Sequence, residues 1–194
     1  MSNQIMTPAN QLTLLRMIFI PIFASLLVYD EVGWAFAVFI LAGITDGLDG
    51  LIARLLKQKT QLGAYLDPLA DKLLLTTSFV FLSIKSIALP IMIPLWLTIF
   101  VISRDVLLVA SALMIALSTG HRTFKPSLYG KLTTFFQIAT VVAVLLLNFL
   151  GVHPPLLPWL FVATGAITIF SGLHYIYRGR KLMLDNNGDL PFKL

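Results

Sequence analysis

Six long apolar stretches, separated by short polar breaks, run along the chain: Leu12 to Tyr29, Trp34 to Leu56, Asp67 to Ile84, Ile91 to Leu117, Leu128 to Leu150 and Leu157 to Tyr177. Each is close to or above the ~20 residues that a helix needs to cross a bilayer. The breaks hold turn formers: Asp30, Glu31 and Gly33 after the first stretch, Thr60 to Gly63 after the second, Pro90 and Pro94 before the fourth, and Gly151, Pro154 and Pro155 after the fifth. A chain in lipid must satisfy its backbone groups internally, so this pattern predicts an all-α fold of six transmembrane helices. Residues Met1 to Gln11 have no basic n-region, and no small-residue cleavage site follows the first stretch, so no signal peptide is expected. The expected transmembrane domain covers residues 1–184, with residues 185–194 as a polar tail.

Composition narrows the function classes. With 58% hydrophobic and 12% charged residues, against about 25% charged in an ordinary soluble domain, the chain is not a water-soluble globule. Its 14 basic residues are scattered among apolar runs, so the net charge of +5 does not make a nucleic-acid face. The lack of cysteine excludes disulfide scaffolds, thiolate metal sites and cysteine nucleophiles. His121, His153 and His174 share no metal-binding spacing and read as interfacial residues. Trp34, Trp96, Trp159, Tyr175 and Tyr177 fall near the ends of stretches and read as interface anchors.

The placement of Lys and Arg predicts orientation, because short loops rich in them stay in the cytoplasm. Arg54, Lys57 and Lys59 follow the second stretch, Arg122 and Lys125 the fourth, and Arg178, Arg180 and Lys181 end the sixth. Both termini are therefore expected in the cytoplasm. The turn between the second and third stretches becomes a cytoplasmic hairpin.

Of nine acidic residues, four lie on that hairpin: Asp46, Asp49, Asp67 and Asp71. Spacings of three and four place each pair on one helix face. Ionised carboxylates in or near hydrocarbon are costly unless they line a cavity, pair, or bind a cation. Arg54, Lys72 and Arg104 are the expected local counter-charges, too few for the cluster. One or two divalent cations resolve the excess, and an all-oxygen ligand set favours Mg²⁺ or Mn²⁺ over Zn²⁺. Helix capping is a weaker reading, because Asp46 and Asp49 lie inside an apolar helix. A cation-coupled transporter is a further alternative, although such proteins tend to bind at the midplane between repeated halves. Gly43 and Gly47 fit close helix packing of the small-xxx-small type. Gly50 and Ala53 lie beside the acids, where a bulky ligand could approach the backbone. Arg54 could grip a phosphate with its planar fork.

The residues Asp46-Gly-Leu-Asp49-Gly50-Leu-Ile-Ala53-Arg54, eight further residues, then Gly63-Ala-Tyr-Leu-Asp67-Pro-Leu-Ala-Asp71 match the signature DxxDGxxARx8GxxxDxxxD without a departure. The sequence thus resembles the CDP-alcohol phosphatidyltransferases. Asn10 to Pro21, Leu66 to Lys72, Ile102 to Asp105 and Gly130 to Gln137 resemble the phosphatidylglycerophosphate synthase branch and its relatives. The Ile102 to Asp105 segment and the ending around Ser171 to Lys181 also resemble eukaryotic-type cardiolipin synthases.

The resemblance implies a six-helix, usually dimeric enzyme that moves a phosphatidyl group from CDP-diacylglycerol to an alcohol and releases CMP. It implies metal binding by Asp46, Asp49 and Asp67, with Asp71 near the metal and acting as general base. It extends nucleotide-lipid contact to Gly50, Ala53, Arg54 and Gly63, and to Thr60, Asn10 and Thr13. The expected location is a bacterial inner (cytoplasmic) membrane, with the site facing the cytoplasm and membrane lipids around it. Arg104 and Lys131, basic residues within or beside apolar stretches, are the expected binders of the acceptor phosphate, with pairing of Arg104 to Asp105 as its alternative. Arg16, Arg122 and Lys125 are weaker candidates for the same phosphate, and snorkelling to lipid headgroups explains them as well. The expected acceptor is glycerol 3-phosphate, giving phosphatidylglycerophosphate, with phosphatidylglycerol, giving cardiolipin, as the alternative; both carry a phosphate, and a two-tailed acceptor would need a lateral opening to the bilayer. An inactive lipid-binding relative is the remaining alternative.

Overall fold

The computed structural model describes the backbone of residues 8–55, 61–85, 87, 89–119 and 128–188, and the side chains of residues 11–48, 69–85, 87, 89–111 and 128–177. Among these residues the chain forms helices and connecting turns, with no strand. The helices are α1 (Pro8–Val28), α2 (Val32–Leu55), α3 (Gln61–Ser83), α4 (Leu95–Thr119), α5 (Leu128–Leu150) and α6 (Leu157–Gly188). Among the described residues three segments are long and apolar enough to cross a membrane on length and composition alone: Gln11–Val28, Leu128–Leu150 and Leu157–Tyr177. In α2 the described apolar run is Val32–Leu48, and it contains Asp46.

Several helix ends differ from the sequence expectation. α3 already includes Gln61 to Gly63, assigned above to a turn. α4 starts at Leu95 rather than Ile91. Pro94 explains this shift, because its ring disfavours helical geometry at Ile93 and it has no N–H to donate. Its carbonyl accepts hydrogen bonds from the Leu97 and Thr98 amides at 3.0 and 3.4 Å, opening α4. α6 continues to Gly188, past the end of the sixth apolar stretch at Tyr177.

The breaks after α1 and α5 share one solution. Asp30 adopts a left-handed backbone (φ 61°). The Glu31 amide donates to the Leu26 carbonyl at 2.8 Å and the Asp30 amide to the Leu27 carbonyl at 3.2 Å. At the end of α5, Gly151 is left-handed (φ 65°), and the amides of Val152 and Gly151 donate to the carbonyls of Leu147 and Asn148. Both are Schellman caps, which satisfy terminal carbonyls that a helix end leaves open. Gly33 instead serves packing, since a Cβ there would come within 2.8 Å of the Phe149 ring.

The chain divides into two compact units, Met1–Ile93 with Ala139–Pro154, and Pro94–Ile138 with Pro155–Leu194. In the first, α1 packs against α2 and α3, with Phe23 against Phe39 at a ring separation of 5.9 Å. In the second, α4 packs against α6. Gly165 permits that approach, as a Cβ there would lie 2.6 Å from the Trp96 ring.

The segment before α4 is held by a side chain acting as a strand would. Asn148 accepts from the Ile91 amide at 2.9 Å and donates to the Ile91 carbonyl at 2.9 Å. Its amide also reaches the Val144 carbonyl at 2.8 Å. Ile91 is buried, so losing these bonds leaves its backbone groups unsatisfied. Asn148→Ala is expected to lower stability by about 1–3 kcal/mol, measured as a fall in the thermal unfolding midpoint of the detergent-purified protein.

Candidate active site

In the first unit, one face of each helix carries the buried residues. α1 buries Thr13, Arg16, Phe23 and Leu27, and α2 buries Ala35, Phe39 and Ala42. The spacing 35, 39, 42 continues at 46, so Asp46 extends the face of α2 that packs against α1. On α3, Ala70, Leu74 and Ser78 are buried, and Asp71 lies one residue beyond Ala70 and one turn before Leu74.

These faces meet at Arg16. Its side chain is 0% exposed. The Nη2 group donates to Asp46 Oδ1 at 2.9 Å, and Nη1 donates to Asp71 Oδ1 at 2.5 Å. One guanidinium from α1 therefore joins the first and last acids of the signature, carried by two different helices. The carboxylates themselves are about half exposed, at 45% and 43%, so each grips a buried cation and still reaches the surface.

This corrects the reading of Arg16 as a snorkelling residue. A snorkelling side chain must put its charge in water or headgroups, whereas Arg16 is enclosed by the helices bearing its partners. The signal was present in the sequence: a basic residue inside an apolar helix is a functional candidate by default, a rule applied above to Arg104 and equally valid for Arg16. Gly43 and Gly47 also depart from expectation. A Cβ at either meets nothing within 4 Å among the described residues. The α2 face turned to α1 is carried by Ala35, Phe39, Ala42 and Asp46, and these glycines lie one position round from it.

Thr13 is fully buried one turn before Arg16 on the same face of α1. The backbones of Asn10, Asp49, Gly50, Ala53, Arg54, Gly63 and Asp67 lie in α1, α2 and α3, but their side chains fall outside the described ones. Thr60 lies outside the described residues altogether, as do His121, Arg122 and Lys125.

The second unit holds a separate pocket of about 500 Å³, lined by Arg104, Gly130, Lys131, Thr134, Phe135, Ile138 and Tyr175. The two basic residues singled out from sequence thus line one cavity. Arg104 is 7% exposed. Its Nη1 donates to Asp105 at 2.8 Å, its Nη2 to Ser171 Oγ at 3.3 Å, and its guanidinium carbon lies 5.9 Å from the Tyr175 ring centre. Its Nε has no hydrogen-bond partner among the described residues. The pairing with Asp105 and the pocket-lining position coexist. Tyr175, expected as an interface anchor, is buried beside this guanidinium instead, while Trp34, Trp159 and Tyr177 are exposed. His174 lies against the Tyr129 ring at 4.8 Å.

Residues 6–174 match the family described as CDP-alcohol phosphatidyltransferase. The chain belongs to that family. Among its relatives is a Mycobacterium tuberculosis protein provisionally named cardiolipin synthase, 31% identical over 89% of this chain and 78% of the relative. Human cardiolipin synthase (CMP-forming) is 33% identical over 90% of this chain and 62% of the human protein. A second M. tuberculosis protein, provisionally named phosphatidylglycerophosphate synthase, is 31% identical over 88% of this chain and 80% of its own length.

A CDP-alcohol phosphatidyltransferase is a membrane transferase of phospholipid biosynthesis that carries out phosphatidyl transfer, using CDP-alcohol and lipid substrates. The family is generally dependent on divalent metal. Asp46 and Asp71 fit such an ion: both are hard oxygen donors, both remain accessible, and the same guanidinium holds both.

In the pocket of the second unit, Asp105 neutralises a buried guanidinium. Asp105→Ala is expected to destabilise the protein by about 3–5 kcal/mol, the cost typical of breaking a buried ion pair, read from thermal unfolding.

Proposed function

We propose that the protein transfers a phosphatidyl group from CDP-diacylglycerol to phosphatidylglycerol, forming cardiolipin and CMP. The observation carrying this acceptor assignment is the pocket of the second unit. It joins a buried arginine, whose Nε has no partner among the described residues, and a lysine to an apolar wall of Phe135 and Ile138, and both apolar residues are exposed on the surface of α5. A phosphate bound there by Arg104 and Lys131 would have acyl chains leaving over apolar side chains. The cardiolipin synthase relatives support the same reading. Glycerol 3-phosphate is the second reading, favoured by the phosphatidylglycerophosphate synthase relative and by the same phosphate-binding pair.

Asp46, Asp49, Asp67 and Asp71 would hold Mg²⁺ or Mn²⁺, with two ions as the working number. Such ions, when bound, offset the negative charge of the diphosphate and of the departing CMP. Asp71 takes the proton of the acceptor hydroxyl as that oxygen attacks the β-phosphorus of the CDP-lipid. The bond from this phosphorus to the bridging oxygen breaks, and CMP leaves with that oxygen. The reaction needs little covalent participation by the protein, and positioning is the main task of its residues. Gly50 and Ala53 leave room for the nucleotide, Arg54 contacts its phosphates, and Asn10, Thr13, Thr60 and Gly63 complete the CDP-lipid contacts. The site opens to the cytoplasm, in agreement with the basic loops, and the enzyme works as a homodimer in a bacterial inner membrane.

Purified protein with Mg²⁺, CDP-diacylglycerol and each acceptor in turn tests the proposal. CMP release with phosphatidylglycerol, and cardiolipin as the lipid product, is the expected result. Release only with glycerol 3-phosphate would establish the second reading, and none with either would refute the reaction. Asp71→Asn should lower kcat by at least about 100-fold while preserving CDP-lipid binding; near-normal turnover would remove Asp71 as the base. Arg104→Ala should raise the acceptor KM more than the CDP-diacylglycerol KM, and the opposite pattern would move Arg104 to the donor side.

A further inference from the structure

We infer that Arg16 is a positioning residue for the reaction, a buried bracket that sets the relative placement of the cation ligand Asp46 and the base Asp71. The inference rests on the function proposed above and adds a residue that the signature does not contain.

Burial makes the role indirect. With its side chain 0% exposed, the guanidinium is beyond reach of a substrate at the surface. Its effect must pass through the two carboxylates it holds, which are accessible. The geometry specifies arginine rather than any cation. Nη1 and Nη2 are fixed in one rigid plane, and each takes an oxygen from a different helix. Two acids that would repel each other are thereby held by one covalent frame. A lysine would offer a single nitrogen, able to follow either carboxylate without fixing both.

Charge predicts a separation of effects. Replacing Arg16 by an uncharged side chain makes the acidic cluster more negative, so attraction for a divalent cation is kept or strengthened. The same change frees the rotamers of Asp46 and Asp71, and small misplacements of reacting groups are expensive in rate. Turnover should therefore fall while cation binding does not. A strut that merely supported the helices would lower stability, cation binding and substrate binding together.

The test compares wild type, Arg16→Met and Arg16→Lys in lipid nanodiscs. It measures kcat, the KM for CDP-diacylglycerol, and Mn²⁺ binding by electron paramagnetic resonance without substrate. Arg16→Met is expected to lose roughly 10- to 100-fold in kcat, with an unchanged KM and with Mn²⁺ bound as tightly as by wild type or more tightly. Arg16→Lys should recover part of the lost kcat. Wild-type kcat in Arg16→Met would overturn the inference, as would Mn²⁺ affinity and KM worsening in step with kcat and no recovery in Arg16→Lys. Should Arg16→Met fail to fold, Arg16→Lys decides: reduced kcat with wild-type Mn²⁺ binding upholds the bracket, and wild-type kcat overturns it. Lack of CMP release by the wild-type protein would strike the proposed reaction instead; Mn²⁺ binding weakened in the folded variants would then still overturn the role of Arg16.

Discussion

A guanidinium buried among membrane-type helices is tolerable only where its charge is met, and in the first unit this requirement fixes which helix faces turn toward one another. Arg16 is enclosed on α1 and answered by Asp46 from α2 and Asp71 from α3. Removing either carboxylate would leave a buried charge with half of this pairing, a far larger penalty than the pair's own net contribution. The register of three helices is thus tied to one cation. The apolar contacts along the same faces, such as Phe23 with Phe39, supply bulk stabilisation but tolerate sliding better than an ion pair does.

The two buried arginines are neutralised differently, and the difference matters for what each can do. Arg16 draws its partners from 30 and 55 residues away in the chain and knits tertiary structure. Arg104 pairs with Asp105, its immediate neighbour, and is steadied by Ser171 and Tyr175. A neighbour on the same helix offsets the charge while the guanidinium lines a cavity. The first arginine is consumed by the fold, and the second faces a pocket.

The sequence carried the six helices and their order, because each apolar run is long and its breaks hold Asp, Gly or Pro. It carried Asp46 and Asp71 as acids on helix faces, and these meet at Arg16, while the side chains of Asp49 and Asp67 lie outside the described ones. It carried Arg104 and Lys131 as basic residues out of place, and these line one cavity. Arg16 was visible by the same rule but lost its meaning for want of a partner, since no spacing in one dimension relates position 16 to 46 and 71. Gly43 and Gly47 meet no described neighbour within 4 Å of a Cβ placed there, for a related reason: a small-residue spacing says that a helix can be approached, not by what. The start of α4 was legible in Pro94, but the apolar residues Ile91 to Ile93 masked it. Ile91 and Ile93 are buried outside any helix, with the Ile91 backbone bonded by Asn148 and the Ile93 amide by the Leu82 carbonyl, and hydropathy does not distinguish a buried strap from a helix.

The reach of the Arg16 pairs bears on how such a chain is made. Synthesis delivers α1 first, and the first acids that follow Arg16, Asp30 and Glu31, lie in the turn at the far end of that helix. Asp46 is missing until α2 emerges, and Asp71 until α3 emerges. A lone arginine in a nascent span costs several kcal/mol in hydrocarbon. The first helix therefore enters the bilayer as an incomplete object, held by its own apolar length or by the insertion machinery. Its charge is settled only when the helices bearing Asp46 and Asp71 arrive, so maturation of the helix pack and assembly of the candidate site are one event.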